Sequence, residues 1–193
     1  MGKASNVYVV AGPNGSGKTT FAREFLPNYA KCPHFVNADL IANGLSPFNP
    51  RIVALKAGKL VLASIREFLK GGEDFGFETT LSGRSHFKMS RRLQAAGYKV
   101  HLFFLWVPGV ELSLLRVKNR VAEGGHDVLS TDIRRRFPRS IANFFKDYSQ
   151  LADTWMLFDN SGEKPVLAAK GSNGGLTVEN QPVYRSIMDS VNL

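Results

Sequence analysis

A chain of 193 residues that is 44% hydrophobic and 21% charged has the composition of a folded globular protein, which excludes intrinsic disorder and sets one domain over residues 1–193 as the expectation. The single cysteine, Cys32, excludes an intramolecular disulfide. With no long apolar stretch at the N-terminus, and with Asn6 where an N-myristoylation signal at Met1-Gly2 needs Ser or Thr, a cytoplasmic chain without membrane attachment is expected. The formal charge of +9 suits phosphates, nucleotides, acidic sugars or a nucleic-acid backbone, and does not choose among them.

Residues 7–11, Val-Tyr-Val-Val-Ala, form a short apolar run of the kind that makes a buried parallel strand. Directly after it, Gly12-Pro13-Asn14-Gly15-Ser16-Gly17-Lys18-Thr19 is a complete G-x-x-x-x-G-K-[ST] loop. Its glycines let backbone N–H groups face phosphate oxygens, Lys18 supplies a cation for the β- and γ-phosphates, and the Thr19 hydroxyl suits Mg²⁺. Residues 19–26 then predict a helix whose N-terminus favours anions. ATP and Mg²⁺ are therefore the expected cofactors. Gly12, Asn14, Gly15, Ser16, Gly17, Lys18, Thr19 and Thr20 form the nucleotide-binding segment, with Thr19 as the metal contact.

Further apolar runs at 35–38, 75–78, 100–107 and 155–159 predict four more strands. Helical spacing predicts helices over 52–69 (Leu55, Leu62, Ile65, Leu69), 111–121 (Leu114, Val117, Val121) and 132–148 (Ile133, Phe137, Ile141, Phe144, Tyr148). Pro138 predicts a kink or break inside the last of these. Residues 166–168 and 176–178 around Gly171-Ser172-Asn173-Gly174-Gly175 read as a hairpin, and Val183, Ile187 and Val191 as a closing helix. Alternating strands and helices predict a three-layer α/β/α phosphate-loop (P-loop) kinase-like fold: a mostly parallel five-stranded sheet, with the hairpin and helix at its C-terminal end.

Ligands of such sheets sit beyond the carboxyl ends of the strands. Three strand ends carry an acid there. Asp39 could take a proton from an attacking hydroxyl or help to hold Mg²⁺, against the plainer reading of an N-cap. Glu78 is suited to hydrogen-bond an acceptor's hydroxyls, and Asp159 ends the fifth strand. Thr79 and Thr80 could serve the acceptor or cap a loop, and Arg84 is a candidate phosphate or acceptor contact. Asp74-Phe75-Gly76 spells a protein-kinase triplet, but there is no His-Arg-Asp loop to accompany it. Arg120, Arg134, Arg135, Arg136 and Arg139 flank Gly124-Gly125-His126-Asp127. Some of them could close over ATP as a lid, and the rest would be a solvated helix face. The four histidines and one cysteine show no zinc spacing.

Taken in order, Gly12 to Thr20, Asn37-Ala38-Asp39-Leu40-Ile41-Ala42, Phe77-Glu78-Thr79-Thr80-Leu81-Ser82-Gly83, and Gly124-Gly125-His126 followed by Arg134-Arg135-Arg136-Phe137 resemble the zeta-toxin family of phosphate-loop kinases, in particular its short, stand-alone bacterial branch. The resemblance covers residues 7 to about 160. It implies an ATP-dependent kinase of a nucleotide sugar, the family's known acceptor being UDP-N-acetylglucosamine at the 3′-hydroxyl of its amino sugar. It implies Asp39 as the catalytic base, Lys18 and Thr19 as ATP and Mg²⁺ ligands, Glu78 and Thr80 as acceptor contacts, and Arg120 with one of Arg134 to Arg136 as phosphate clamps. An antitoxin protein is the partner it implies.

The chain is short beside the larger toxins, whose sugar-binding part has no clear counterpart in it. The reading at this stage is a kinase of a small hydroxylated acceptor. Catalysis falls to Asp39, Lys18 and Arg120. Arg120, Arg135 and Arg136 join the phosphate loop on the cofactor, and Asp39, Glu78, Thr80 and Arg84 face the acceptor. A kinase of a nucleoside or an antibiotic is one alternative. An ATP-dependent nucleic-acid-binding protein is another, and its affinity would fall steeply with salt.

Overall fold

The computed structural model describes residues 4–172 and 174–191; Met1-Gly2 and Asn173 of the expected hairpin loop lie outside them. In chain order the elements are β1 (Asn6–Ala11), α1 (Lys18–Asn28), β2 (Phe35–Val36), α2 (Ala38–Leu45), a 3₁₀ turn (Pro50–Val53), α3 (Ala54–Gly71), β3 (Phe75–Thr79), α4 (Ser85–Ala95), β4 (Lys99–Trp106) and α5 (Val110–Ala122). There follow α6 (Ser130–Asn143), a π-helical stretch (Phe144–Tyr148), α7 (Ser149–Leu151), β5 (Thr154–Asp159), β6 (Val166–Ser172), β7 (Gly175–Val178) and α8 (Gln181–Val191). Among the described residues no helix is long and apolar enough to cross a membrane.

The strands join in one sheet of order β2-β3-β1-β4-β5-β6-β7. The five expected strands are all parallel, pairing β2 with β3, β3 with β1, β1 with β4 and β4 with β5. The sheet has seven strands rather than five. β6 pairs antiparallel with β5 and β7 with β6, so the expected hairpin extends the sheet instead of standing apart from it. An edge strand leaves a row of unpaired N–H and C=O groups, which the hairpin satisfies along β5.

Side-chain alternation splits the core into two layers. Val7, Val9 and Ala11 of β1, with Val100, Leu102, Phe104 and Trp106 of β4, pack in the larger layer with Ile65, Leu93, Phe137, Ile141, Phe144 and Ile187. Val10 and Leu105 face the other way, in a smaller layer with Ala22 and Leu26 of α1. The sheet is thus covered by helices on both faces, as strands buried on both sides require.

Two helical expectations are corrected. The stripe read for residues 52–69 included Leu55 and Leu62, yet Leu55 is 86% exposed and Leu62 is also exposed. The face that packs is Ala57, Val61, Ile65 and Phe68, also at helical spacing, and periodicity alone could not choose between the two stripes. α6 runs unbroken through Pro138, which lies on its exposed side while Phe137 and Ile141 anchor it inward. The departure from α-helical geometry comes later, at Phe144–Tyr148.

Phe144 is fully buried, with ring centroids 4.5 Å from Phe104 and 5.6 Å from Trp155. Phe144→Ala is expected to lower the unfolding free energy by about 3–5 kcal/mol, read as a shift in the urea midpoint at unchanged slope.

Candidate active site

The phosphate loop runs from the end of β1 into α1. Its glycines sit where side chains would collide: a Cβ at Gly12 would strike the Leu105 carbonyl, and one at Gly15 would lie 2.6 Å from the Ser113 carbonyl oxygen. Gly17, at φ 83°, leaves room for Asn160, whose Nδ2 donates to the Ser16 carbonyl at 2.7 Å. The Ser16 hydroxyl is buried with no protein partner, a donor in a cradle shaped for an anion.

Lys18 is only 6% exposed, and its Nζ donates to the Pro13 carbonyl at 2.7 Å. Burial pushes its ammonium below the usual lysine range, Glu78 and Asp39 pull it back up, and Arg120 pushes it down. Glu78 Oε1 lies 3.7 Å from Nζ. Its other oxygen accepts from the Thr19 hydroxyl and from Asn37 Nδ2, both at 2.7 Å. Glu78 is therefore turned onto the phosphate loop.

Two clefts meet at this carboxylate. One, of ≈ 440 Å³, is lined by Gly15, Gly17, Lys18, Thr19, Thr20, Arg116, Arg120, Asn160 and Glu78. The other, of ≈ 450 Å³, is lined by Asn14, Asn37, Asp39, Glu78, Thr80, His86, His126, Asp132 and Arg136, with Arg51 and Asp127. Asp39 lies in the first turn of α2, not at a strand end, and its side chain is 55% exposed, 3.9 Å from His126 Nε2. The N-cap of α2 is Asn37, whose Oδ1 accepts from the Asp39 and Leu40 amides. The capping role weighed for Asp39 thus belongs to its neighbour, and the Asp39 carboxylate faces the second cleft.

The arginines divide. Arg116 and Arg120 are one turn apart on α5 and both reach the first cleft. Arg116 donates to the Asn160 and Ser161 carbonyls, and Arg120 to the His126 carbonyl at 2.6 Å, while the Arg120 Nε is buried and unpartnered. Arg136 lines the second cleft and pairs with Asp132. Arg135 also pairs with Asp132, at the surface, and Arg134 with Glu111. Arg84 pairs with Asp147, and Arg84, Arg134 and Arg135 line neither cleft.

Thr80 lines the second cleft and shares a hydrogen bond with Ser82, while Thr79 accepts from the Leu81 amide. Leu81 is fully buried at φ 55° and is held by Asn143 Nδ2 on its carbonyl. Such strain in a non-glycine residue persists only where the surroundings impose it. Asp159 turns onto the Ser161 amide, leaving Asn160 as the residue that grips the loop. Arg51, Arg116 and Asn160 were not among the residues read from the sequence, and Asn37 was given no role there. For Arg116, the i, i+4 spacing from Arg120 was the available signal.

Thr19 and Glu78 offer hard oxygen donors 2.7 Å apart beside the loop. Among the described residues no group of three His, Cys, Asp or Glu side chains could hold a metal by itself. That fits Mg²⁺, which uses one or two protein oxygens and completes its shell with phosphates and water.

The zeta toxin family model matches residues 2–164. An uncharacterised protein of Haemophilus influenzae is 33% identical over 126 residues, 65% of this chain and 88% of its own. Crystal structures of the AvrRxo1-ORF1:AvrRxo1-ORF2 complex superpose over all of this chain, one with sulphate ions (TM-score 0.77, 21% identity) and one with ATP (TM-score 0.75, 20% identity). The chain covers only 66% and 65% of those longer chains. The PezAT toxin–antitoxin structure of Streptococcus pneumoniae also covers the whole chain, at TM-score 0.65 and 15% identity, with 88% of its own length matched.

Gly125 packs on Arg120: its amide donates to the Arg120 carbonyl at 2.8 Å, and a Cβ there would lie 2.5 Å from Arg120 Cγ. Gly125 therefore seats the arginine. Gly125→Ala and Arg120→Ala are each expected to slow single-turnover release of γ-phosphate from ATP by roughly 10- to 100-fold, the worth of one charged hydrogen bond, with a smaller loss of affinity for a fluorescent ATP analogue. The double variant should lose little more than Arg120→Ala alone.

Proposed function

The chain belongs to the zeta toxin family of phosphate-loop kinases, and from that premise we propose that it transfers the γ-phosphoryl group of ATP to a hydroxyl of a small acceptor held beside Asp39. The observation that carries the reading is the pair of clefts meeting at Glu78, with Lys18 and Thr19 on one side and Asp39 on the other. A phosphoryl group moves in line between two oxygens, and this arrangement supplies one chamber for each.

In this reading the loop amides, the Ser16 hydroxyl and Lys18 hold the triphosphate, and Arg116 braces the loop after β5 that walls the nucleotide chamber. Asp39 accepts the acceptor's proton as the new O–P bond forms and the bond from the γ-phosphorus to ADP breaks. Arg120 reaches the same chamber with an unpartnered Nε and meets the charge that spreads over the phosphoryl oxygens, where fixed donors act most strongly. Mg²⁺, held through Thr19 and Glu78, would neutralise charge on the bridging phosphates. Thr80 and His86 shape the acceptor's chamber, and burial holds the His86 imidazole below the usual histidine range.

UDP-N-acetylglucosamine, at its 3′-hydroxyl, is the acceptor that the family suggests. Arg51 and Arg136 are the cations in that chamber, each paired with an aspartate that a diphosphate would have to displace. The AvrRxo1-ORF1 structure is of a complex with AvrRxo1-ORF2, and PezAT is described as a toxin–antitoxin system, which supports an antitoxin partner here, and use of ATP supports a cytoplasmic setting.

The test is a screen with γ-labelled ATP over UDP-sugars, nucleosides and aminoglycosides, in which one acceptor is expected to gain label in a Lys18-dependent way. Normal transfer by Lys18→Ala would sink the assignment. Asp39→Asn should bind ATP normally while transfer falls by roughly a hundredfold to ten-thousandfold.

A further inference from the structure

Asn37 lies between β2 and α2, only 5% exposed, and both ends of its amide are engaged. Oδ1 accepts from the Asp39 amide at 2.8 Å and the Leu40 amide at 3.1 Å. Nδ2 donates to Glu78 Oε2 at 2.7 Å. That same oxygen accepts from the Thr19 hydroxyl, also at 2.7 Å. A continuous path therefore runs from the last residue of the phosphate loop, through Glu78 and Asn37, to the backbone of Asp39.

The amide can face only one way. Flipped, it would aim Nδ2 at two N–H donors and Oδ1 at a carboxylate, leaving all three partners mismatched in a buried site. Ser, Thr and Asp cap helices as well as Asn does. None of them reproduces this arrangement, because Asp has no donor for Glu78 and a single hydroxyl cannot span both directions. The need for a cap therefore does not explain this residue, whereas a link to Glu78 does.

We infer that Asn37 is a positioning residue that couples the first turn of α2, and so the Asp39 carboxylate, to the Thr19–Glu78 end of the phosphate loop. Occupation of the nucleotide chamber, which must engage Thr19 and Glu78, then sets where the base stands in the other chamber. The inference rests on the reading of Asp39 as base.

Asn37→Ser and Asn37→Thr keep a cap and withdraw the donor from Glu78 without setting a second carboxylate against it. Amide hydrogen exchange at Asp39 and Leu40, melting temperature and affinity for a fluorescent ATP analogue should stay near wild type. Single-turnover release of labelled γ-phosphate, to water and to UDP-N-acetylglucosamine as probe, should fall about tenfold or more, a kcat effect without a matching change in the KM for ATP. Because Asn37 acts through Glu78, Asn37→Ser/Glu78→Gln should be no slower than Glu78→Gln by more than about twofold. A merely structural cap predicts unchanged turnover in both capped variants. That result, or losses that multiply in the double variant, overturns the coupling while leaving the kinase reading intact. A wild-type protein that binds ATP but releases no γ-phosphate to water or to any of the UDP-sugars, nucleosides and aminoglycosides of the screen overturns both.

Discussion

A buried lysine beside a carboxylate is the constraint on which the rest of the site depends. Taking an ammonium and a carboxylate out of water costs several kcal/mol each, and their mutual attraction offsets this only when further hydrogen bonds complete the arrangement. Lys18 meets the Pro13 carbonyl and Glu78, and Glu78 meets Thr19 and Asn37. Each partner comes from a different segment: the loop itself, the end of β3, the start of α1 and the start of α2. Displacing any of these segments leaves a charge without its partner, so the cluster holds the four in register.

The sheet makes this convergence possible. β1 and β3 are adjacent and parallel, with Ala11 opposite Thr79, so both strands end at the same level and release the phosphate loop and Glu78 side by side. β4 lies beside β1, and β4, α5 and the turn after β5 supply the loop's support. The Leu105 carbonyl lies under Gly12, the Ser113 carbonyl under Gly15, and Asn160 grips Ser16 beside Gly17. The glycines therefore serve close packing by backbone as much as turn geometry.

Charge is distributed less simply than +9 suggests. Arg84, Arg134 and Arg135 pair with neighbouring acids at the surface, where such pairs contribute about 0–1 kcal/mol. The cations that line the first cleft are few: Lys18, Arg116 and Arg120, brought together by α1 and α5. In the other chamber Asp39, Asp127 and Asp132 stand with Arg51 and Arg136. A basic chain thus presents a mixed, largely self-paired surface to whatever accepts the phosphoryl group.

The phosphate loop, the parallel α/β architecture and the family were legible in the sequence because they depend on local pattern: glycine spacing, a lysine at a set offset, and apolar runs at strand length. Lys18, Thr19, Asp39 and Glu78 were singled out for the same reason, as polar residues following such runs. Tertiary structure decided what depends on partners remote in the chain. It placed the hairpin on β5 as sixth and seventh strands, chose Ala57 and Val61 over Leu55 and Leu62 as the buried face of α3, and drew Arg120 into the site while leaving Arg84 and Arg135 at the surface. It also gave the helix cap to Asn37 and set Glu78 against Thr19, 59 residues away. Local spacing determines which faces and charges a segment can offer, but which of them is used depends on the neighbour it meets, and that is settled only when the whole sheet has assembled.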